Sequence, residues 1–255
     1  MIVIKSHQEI ELMREAGKIV AETLTRLEQA IRPGITTGHL DNLARKCIHS
    51  FNAQPAFLGY YGFPASICAS VNEEVVHGIP GLRKLKNGDI ISIDVGVYYK
   101  GYCGDSASTF PVGEVSPLTL RLVQAAEDSF YQGISFAYPG KHLQDISSAI
   151  QNCAESQEFS VVRNFVGHGI GSRMHEEPQV PNYGSSSKGV QLQEGMVLAI
   201  EPMVNEGTWE VETLNDNWTV VTKDRKLSAH YEHTVAILEG GPEILTSLQG
   251  GAKWI

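Results

Sequence analysis

One pattern is written twice in this chain, and it limits the possible folds more than any other feature. His77-Gly78-Ile79 recurs as His168-Gly169-Ile170. Gly88 lies six residues before Asp94, with Ile93 ahead of the acid; Gly195 lies six residues before Glu201, with Ile200 ahead of it. Upstream of each His-Gly-Ile, the order is apolar-faced helix, Pro-Gly, helix. The period is too long for a solenoid, whose units run about 20–50 residues. It describes two similar halves, approximately 1–112 and 113–255, each of two helices followed by strand. Such halves face each other across a pseudo-twofold axis within one domain, and their corresponding polar residues converge on one cleft.

The local signals agree with that frame. Ser6 and Glu9 have the spacing of a capping box, so a helix is expected to start near His7. Ile10, Met13, Val20, Leu24, Leu27 and Ile31 give it one apolar face, and Pro33-Gly34 stops it. Thr36 or Thr37 caps a second helix carrying Leu40, Leu43, Cys47, Ile48 and Phe51. An aromatic loop follows, then a strand over 66–72. In the second half Ser116-Pro117 opens a helix, Pro139-Gly140 stops it, and Leu143, Ile146, Ile150 and Cys153 mark the next. Residues 229–237 (AHYEHTVAI) read as one strand.

Residues 89–110 (DIISIDVGVYYKGYCGDSASTF) read as a hairpin. Ile91, Ile93, Val95 and Val97 alternate with Ser92, Asp94, Gly96 and Tyr98, the period of a half-buried strand. Lys100-Gly101 gives a turn signal; if the hairpin is centred between Tyr99 and Lys100, Asp94 lies directly opposite Asp105. Two like charges so opposed destabilise a sheet unless one is protonated or a cation lies between them. Taken alone, the hairpin fits a solvated face with two unrelated acids equally well.

The formal charge of −9 disfavours a nucleic-acid role, DNA included, driven by counterion release. No apolar run reaches membrane-spanning length, and MIVIKSHQEI lacks the core and cleavage site of a signal peptide. Cys47, Cys68, Cys103 and Cys153 are scattered without a CxxC pair, which suits reduced thiols. A cytoplasmic chain without a structural zinc site is expected.

The cleft candidates are His77, Asp94, Asp105, His168, His175, Glu201 and Glu232. Singly, each has an ordinary reading: a turn histidine, a strand-end charge, an outward acid. Together, four carboxylates sit within or at the end of strands, three of them strongly apolar. Burying four ionised acids without compensation is very costly. Two divalent cations would balance them, and His168 would add a neutral nitrogen. A mixed oxygen and imidazole set suits manganese, iron, cobalt or zinc better than calcium.

The segments HGIP, DVGVYYKGYCGDSASTF, GHGIGSRMHEEPQVPNY, AIEPM and YEHTV, in this order and at compatible spacing over nearly the whole chain, resemble the methionine aminopeptidases. The resemblance implies the pita-bread fold, an α+β architecture of two pseudo-twofold halves around a curved antiparallel β-sheet. It implies removal of the initiator methionine from nascent proteins with a small second residue, by a hydroxide bridging two divalent metals. It makes Asp94, Asp105, His168, Glu201 and Glu232 the metal ligands, with Asp105 and Glu232 bridging. Glu201 also becomes the proton shuttle. His77 would contact the substrate backbone, and His175 would bond the carbonyl oxygen. Tyr60, Phe63, Cys68 and Trp218 would line the methionine pocket, with Phe57 and Met174 near its rim.

This chain departs from the family pattern where the family often has tyrosine at Phe63, phenylalanine at Met174 and cysteine at Phe57, so the pocket's shape is its own. Only 31 positions separate Glu201 from Glu232, which leaves no room for the helical insert of the type II enzymes. With no N-terminal zinc-binding extension, the expectation is a bacterial-style type I catalytic domain acting as a monomer. Two rivals remain: an X-Pro aminopeptidase or prolidase, and a metal-free peptide-binding module of the same fold. Arg83-Lys84-Leu85-Lys86 offers a basic cluster for transient ribosome contact, though such a run is ordinarily a solvated loop.

Overall fold

Ser6 caps the first helix as its spacing predicts. Its side chain accepts from the Glu9 amide, and the Glu9 carboxylate accepts from the Ser6 amide at 2.8 Å. The helix, α1, spans His7–Ala30 and buries Ile10, Met13, Val20, Leu24 and Leu27 along one stripe. Thr36 caps α2, Thr37–Ser50. Ser116 caps α3, Pro117–Ile134, with proline at the start where its missing N–H costs nothing. α4 spans Leu143–Ser156. This computed structural model describes residues 1–248; the last residues of the predicted second half, 249–255, lie outside the described residues.

The strands pair antiparallel throughout, in sheets of three to five strands. In the first half, Ile90–Tyr99 pairs with Tyr102–Pro111 on one side and with Cys68–Val71 on the other. Ile91, Ile93, Val95 and Val97 face an apolar cluster shared with α1 and α2. A second cluster joins α3 and α4 to Leu198, Ile200, Val235 and Ile237. A third lies between them and gathers Ile10, Met13, Phe57, Phe63, Cys68, Ile170 and Met174. The arrangement is α+β with the pita-bread topology.

Two sequence expectations need correction. The hairpin turns at the signalled pair Lys100-Gly101 and is centred between those two, one position later than the register expectation took it: Tyr99 faces Tyr102. Both loop residues have positive φ, 48° and 90°. That conformation matches the twist of the strands, and glycine takes it freely at the second position. A turn one residue earlier would have demanded it of Tyr99. The register therefore moves by two, Asp94 facing Ala107 and Gly96 facing Asp105. A shift of two keeps the faces, so both acids still share one side, as diagonal neighbours.

The second correction concerns 229–237, which is two strands. Ser228–His230 pairs with Met203–Asn205, and His233–Leu238 pairs with Val197–Ile200. Between them Glu232 turns to the first half: its N–H donates to Ala107 O at 2.9 Å, and Ala107 N–H donates back at 3.3 Å. The chain changes sheets at the residue that reaches across.

Candidate active site

That switch sets Glu232 against Ala107, and Ala107 faces Asp94, so the three stand side by side. Asp105 is clamped by Thr234, whose Oγ1 accepts from the Asp105 amide at 3.0 Å and donates to its carbonyl at 2.8 Å. Glu201 follows the last residue of Val197–Ile200. His168 sits in the neighbouring strand, opposite Ala199. Ligand atoms of Asp105, His168 and Glu232 all lie within 4.8 Å of one another.

Burial governs the electrostatics here. The Asp94 carboxyl is pushed up to about 7, chiefly by loss of water. Asp105, Glu201 and Glu232 are raised well above the usual carboxylate range, first by burial and then by neighbouring acids. Asp94 Oδ1, Asp105 Oδ1 and Glu232 Oε1 are buried without any hydrogen-bond partner among the described residues. Burial likewise lowers His168 to about 3, so its ring is neutral. His168 Nδ1 lies 2.9 Å from Gly169 O and holds the proton for that bond. Its Nε2 lone pair then points at the acids, 3.8 Å from Asp105 Oδ2 and 3.7 Å from Glu201 Oε1. Orphaned oxygens beside a correctly oriented imidazole fit a divalent cation: it supplies the partner they lack, and this donor set suits a first-row transition ion.

The acids open onto a cavity of about 290 Å³. The structure brings His77, Asp94, Asp105, His168, His175, Glu201 and Glu232 to its wall, together with Phe57, Tyr60, Phe63, Cys68 and Trp218. Met174 is not on the wall; it is buried in the apolar cluster that holds Phe57, Phe63 and Cys68. Phe63 meets Trp218 edge-on at 5.1 Å. Burial holds the Cys68 thiol protonated, which makes it apolar wall and not a nucleophile.

The two non-ligand histidines differ in their support. The His175 ring is 4.2 Å from that of His168, and its Nδ1 lies 2.7 Å from Tyr60 Oη. Burial lowers its pKa, so the ring is neutral; at Nδ1 it bonds the Tyr60 hydroxyl, which can donate to it or accept from it. His77 has φ of 60° and meets Phe165 and Trp218 edge-on. Burial, then His175, lowers it to about 4.

Residues 11–239 match the model of metallopeptidase family M24. The chain belongs to family M24. Across 249 residues it is 56% identical to the methionine aminopeptidase of Clostridium perfringens, covering 98% of this chain and 100% of that one. Its backbone superposes on the crystal structure of methionine aminopeptidase from Rickettsia prowazekii with a TM-score of 0.95 at 44% identity, over 96% of this chain and 100% of that one. The prolidase from Pyrococcus horikoshii shares the fold, with a TM-score of 0.77 at 22% identity, over 98% of this chain and 65% of that one.

As an M24 metallopeptidase, the chain uses divalent metal. Its structure adds site neighbours that sequence reading missed. Tyr61 joins the cavity wall beside Tyr60. Asn182, fully buried, donates from Nδ2 to the Glu201 carbonyl at 3.0 Å. His230 is buried at 1% exposure, and its Nε2 stands 3.7 Å from Glu201 Oε2. Strand alternation held the signal for His230, which is two residues from Glu232 and so on its side of an extended chain. Among the described residues, no helix is long and apolar enough to cross a membrane.

Proposed function

We propose that this M24 chain is a metal-dependent aminopeptidase that removes the N-terminal methionine from proteins with a small second residue. One observation carries the reading. Unpartnered carboxylate oxygens and a neutral imidazole share the wall of an apolar cavity, in a chain 56% identical to a methionine aminopeptidase over nearly its full length.

Asp94, Asp105 and Glu232 would hold one cation, and Asp105, Glu232, His168 and Glu201 a second. Divalent ions there supply Lewis-acid polarisation of the scissile carbonyl and lower the pKa of water so that it attacks at neutral pH. The remaining work falls to side chains. Phe63, Cys68, Trp218 and Phe57 take the methionine side chain, a thioether that fits a soft apolar wall. His175 donates from Nε2 to the carbonyl oxygen as charge develops there, the tautomer it has when the Tyr60 hydroxyl donates to Nδ1. Glu201 takes the proton of the attacking water and passes it to the leaving amine. His77, neutral at pH 7, contacts the substrate backbone near the scissile amide.

The same reading takes nascent N-termini as substrates and the working unit as a monomer. Arg83 is held by Glu74 at 2.8 Å and Leu85 is buried, which leaves Lys84 and Lys86 as the exposed lysines for transient ribosome contact.

The test is hydrolysis of Met-Ala-Ser beside Ala-Pro-Ala, by protein stripped with chelator and then titrated with manganese or cobalt. Metal-restored release of methionine alone supports the reading. Cleavage only before proline would transfer the chain to the X-Pro peptidases, and no cleavage at any metal level would refute a peptidase role.

A further inference from the structure

We propose that His230 is a positioning residue of the metal centre, donating from Nε2–H to Glu201 Oε2 and so deciding which oxygen Glu201 presents to the metal. The inference rests on the metal-centre reading above. Four observations support it. His230 is almost fully buried, and its Nε2 has no hydrogen-bond partner among the described residues. Two carboxylate oxygens stand near that nitrogen: Glu201 Oε2 at 3.7 Å and Glu232 Oε2 at 3.9 Å. The residue is pinned by its backbone. Its N–H donates to Thr109 Oγ1 at 2.9 Å, the same hydroxyl donates back to its carbonyl at 2.8 Å, and it faces Met203 in the ladder. The other histidine of the motif, His233, is already engaged through both ring nitrogens, Nδ1 at 2.8 Å from Thr246 Oγ1 and Nε2 at 3.2 Å from Tyr231 Oη.

The two imidazoles beside Glu201 divide its carboxylate. His168 stands 3.7 Å from Oε1, and His230 stands 3.7 Å from Oε2. Their tautomers must differ. His168 spends its Nδ1 proton on Gly169 O, so Nε2 offers a lone pair to a cation. Once metal binding ionises Glu201 and Glu232, a lone pair at His230 Nε2 would face two carboxylate oxygens and be repelled by both; an N–H there is attracted by both. Closing the gap takes a movement of about 1 Å, to the ~2.8 Å of a charge-assisted hydrogen bond. With Oε2 held, Oε1 faces the side of His168. A partner behind a metal-binding side chain commonly affects metal affinity about as much as its loss affects activity, by ~10–100-fold.

The experiment uses the full chain, stripped with chelator, and compares wild type, His230→Gln and His230→Leu. Mn²⁺ affinity is measured by calorimetry, and the Co²⁺-loaded proteins by visible absorption. Glutamine keeps an N–H donor and leucine does not. The leucine variant is expected to bind Mn²⁺ ~10–100-fold more weakly than wild type, with the glutamine variant within about threefold and its Co²⁺ spectrum unchanged. Metal-free His230→Leu should melt no lower than wild type, since it removes an unpaired buried polar atom. A readout free of mutation is the ¹⁵N-histidine spectrum of zinc-loaded wild type, where His230 should carry its proton on Nε2.

Wild-type Mn²⁺ affinity in folded His230→Leu would overturn the inference. A glutamine variant as weak as the leucine one, with an altered Co²⁺ spectrum and a His230 ring deprotonated at Nε2, would overturn it in favour of direct ligation. Failure of wild type itself to take up Mn²⁺ would sink the metal-centre reading and this inference with it.

Discussion

Alanine at Gly96 should damage this protein through one neighbour, the Phe57 ring. Gly96 faces Asp105 across the hairpin. A Cβ built there would lie 2.5 Å from Phe57 Cε1 and 2.8 Å from both Phe57 Cζ and Met174 Cε. Carbon atoms in ordinary contact sit ~3.5–4.0 Å apart, so about 1 Å must be found. The Met174 methyl ends a flexible side chain and can swing aside. The Phe57 ring is stiff and buried among Phe63, Cys68 and Ile170. Overpacking of this kind costs ~1–3 kcal/mol. Replacing glycine also returns about 0.4–1 kcal/mol by restricting the unfolded chain. The net loss is then ~0–2.6 kcal/mol, and at ~2–4 °C per kcal/mol for a chain of this size the Tm should fall by up to ~10 °C. Because Phe57 walls the cavity, KM for a methionyl peptide should rise with it. The assay is a double-mutant cycle by thermal melting of metal-free protein: wild type, Gly96→Ala, Phe57→Cys and the pair. Cysteine removes the whole ring and stays apolar, so in that background Gly96→Ala should cost nothing or stabilise slightly. Effects that add within ~0.5 kcal/mol would mean that the ring is not what the new methyl meets, and would refute the packing argument.

Asp105→Ala and Glu232→Ala should each lose metal and activity together; bound metal measured by elemental analysis decides it, and a variant with full metal content removes that acid from the ligand set. His175→Ala should keep its metal and lose ~10²–10³-fold in kcat, as for other groups that stabilise a developing oxyanion; full activity would strike it from the catalytic residues. Tyr60→Phe should lower kcat by up to about tenfold, the worth of one hydrogen bond, with KM for methionyl peptides little changed. A rise in KM alone would reduce Tyr60 to a pocket wall. Metal uptake should weaken as pH falls from 8 to 6 and should release protons, because Asp94 titrates near 7 and its three neighbours are also raised. The sign for folding is the reverse of the usual acid: stability that a protonated Asp94 lends the metal-free fold is complete below its unfolded value of 3.8 and is lost as pH rises through about 7. Calorimetry of metal binding at pH 6.5, in buffers of different ionisation heat, should therefore detect released protons, and their absence would contradict the burial of these acids.

The parts of this structure that sequence reading reached are those carried by local periodicity and local chemistry. Ser6 and Glu9, three residues apart, need only each other to start α1. The alternation from Ile91 to Val97 needs only water on one side and an apolar cluster on the other. The five proposed ligand positions came from a resemblance spread over nearly the whole chain, together with the cost of burying four acids. What local reasoning missed was settled by partners far away along the chain. Tyr60 and His175, 115 positions apart, meet through one hydrogen bond that no spacing announces. The register error shows a finer limit: the apolar pattern fixes which face a residue takes but not how far the strands slide by steps of two. Turn chemistry decided that, since Lys100-Gly101 accept the left-handed backbone that a turn at Tyr99 would have resisted.

Glu232 shows how a cleft residue could be named from sequence while its scaffold was read wrongly. Nothing local interrupts 229–237, where β-formers run on and a single strand is the natural expectation. The interruption comes from Ala107, which takes both backbone hydrogen bonds of Glu232. A residue that leaves its own sheet to bond another half has its side chain set by that half, and here the setting is the face of Asp94 and Asp105. The same break places His230 on the strand just before it, with its backbone fastened to Thr109 of the hairpin and its ring nitrogen turned to Glu201 and Glu232. The sheet switch thus accounts for two things at once. It lets a buried acid cross between halves without wasting its amide, and it holds a histidine beside that acid, where its ring nitrogen meets the carboxylates of Glu201 and Glu232.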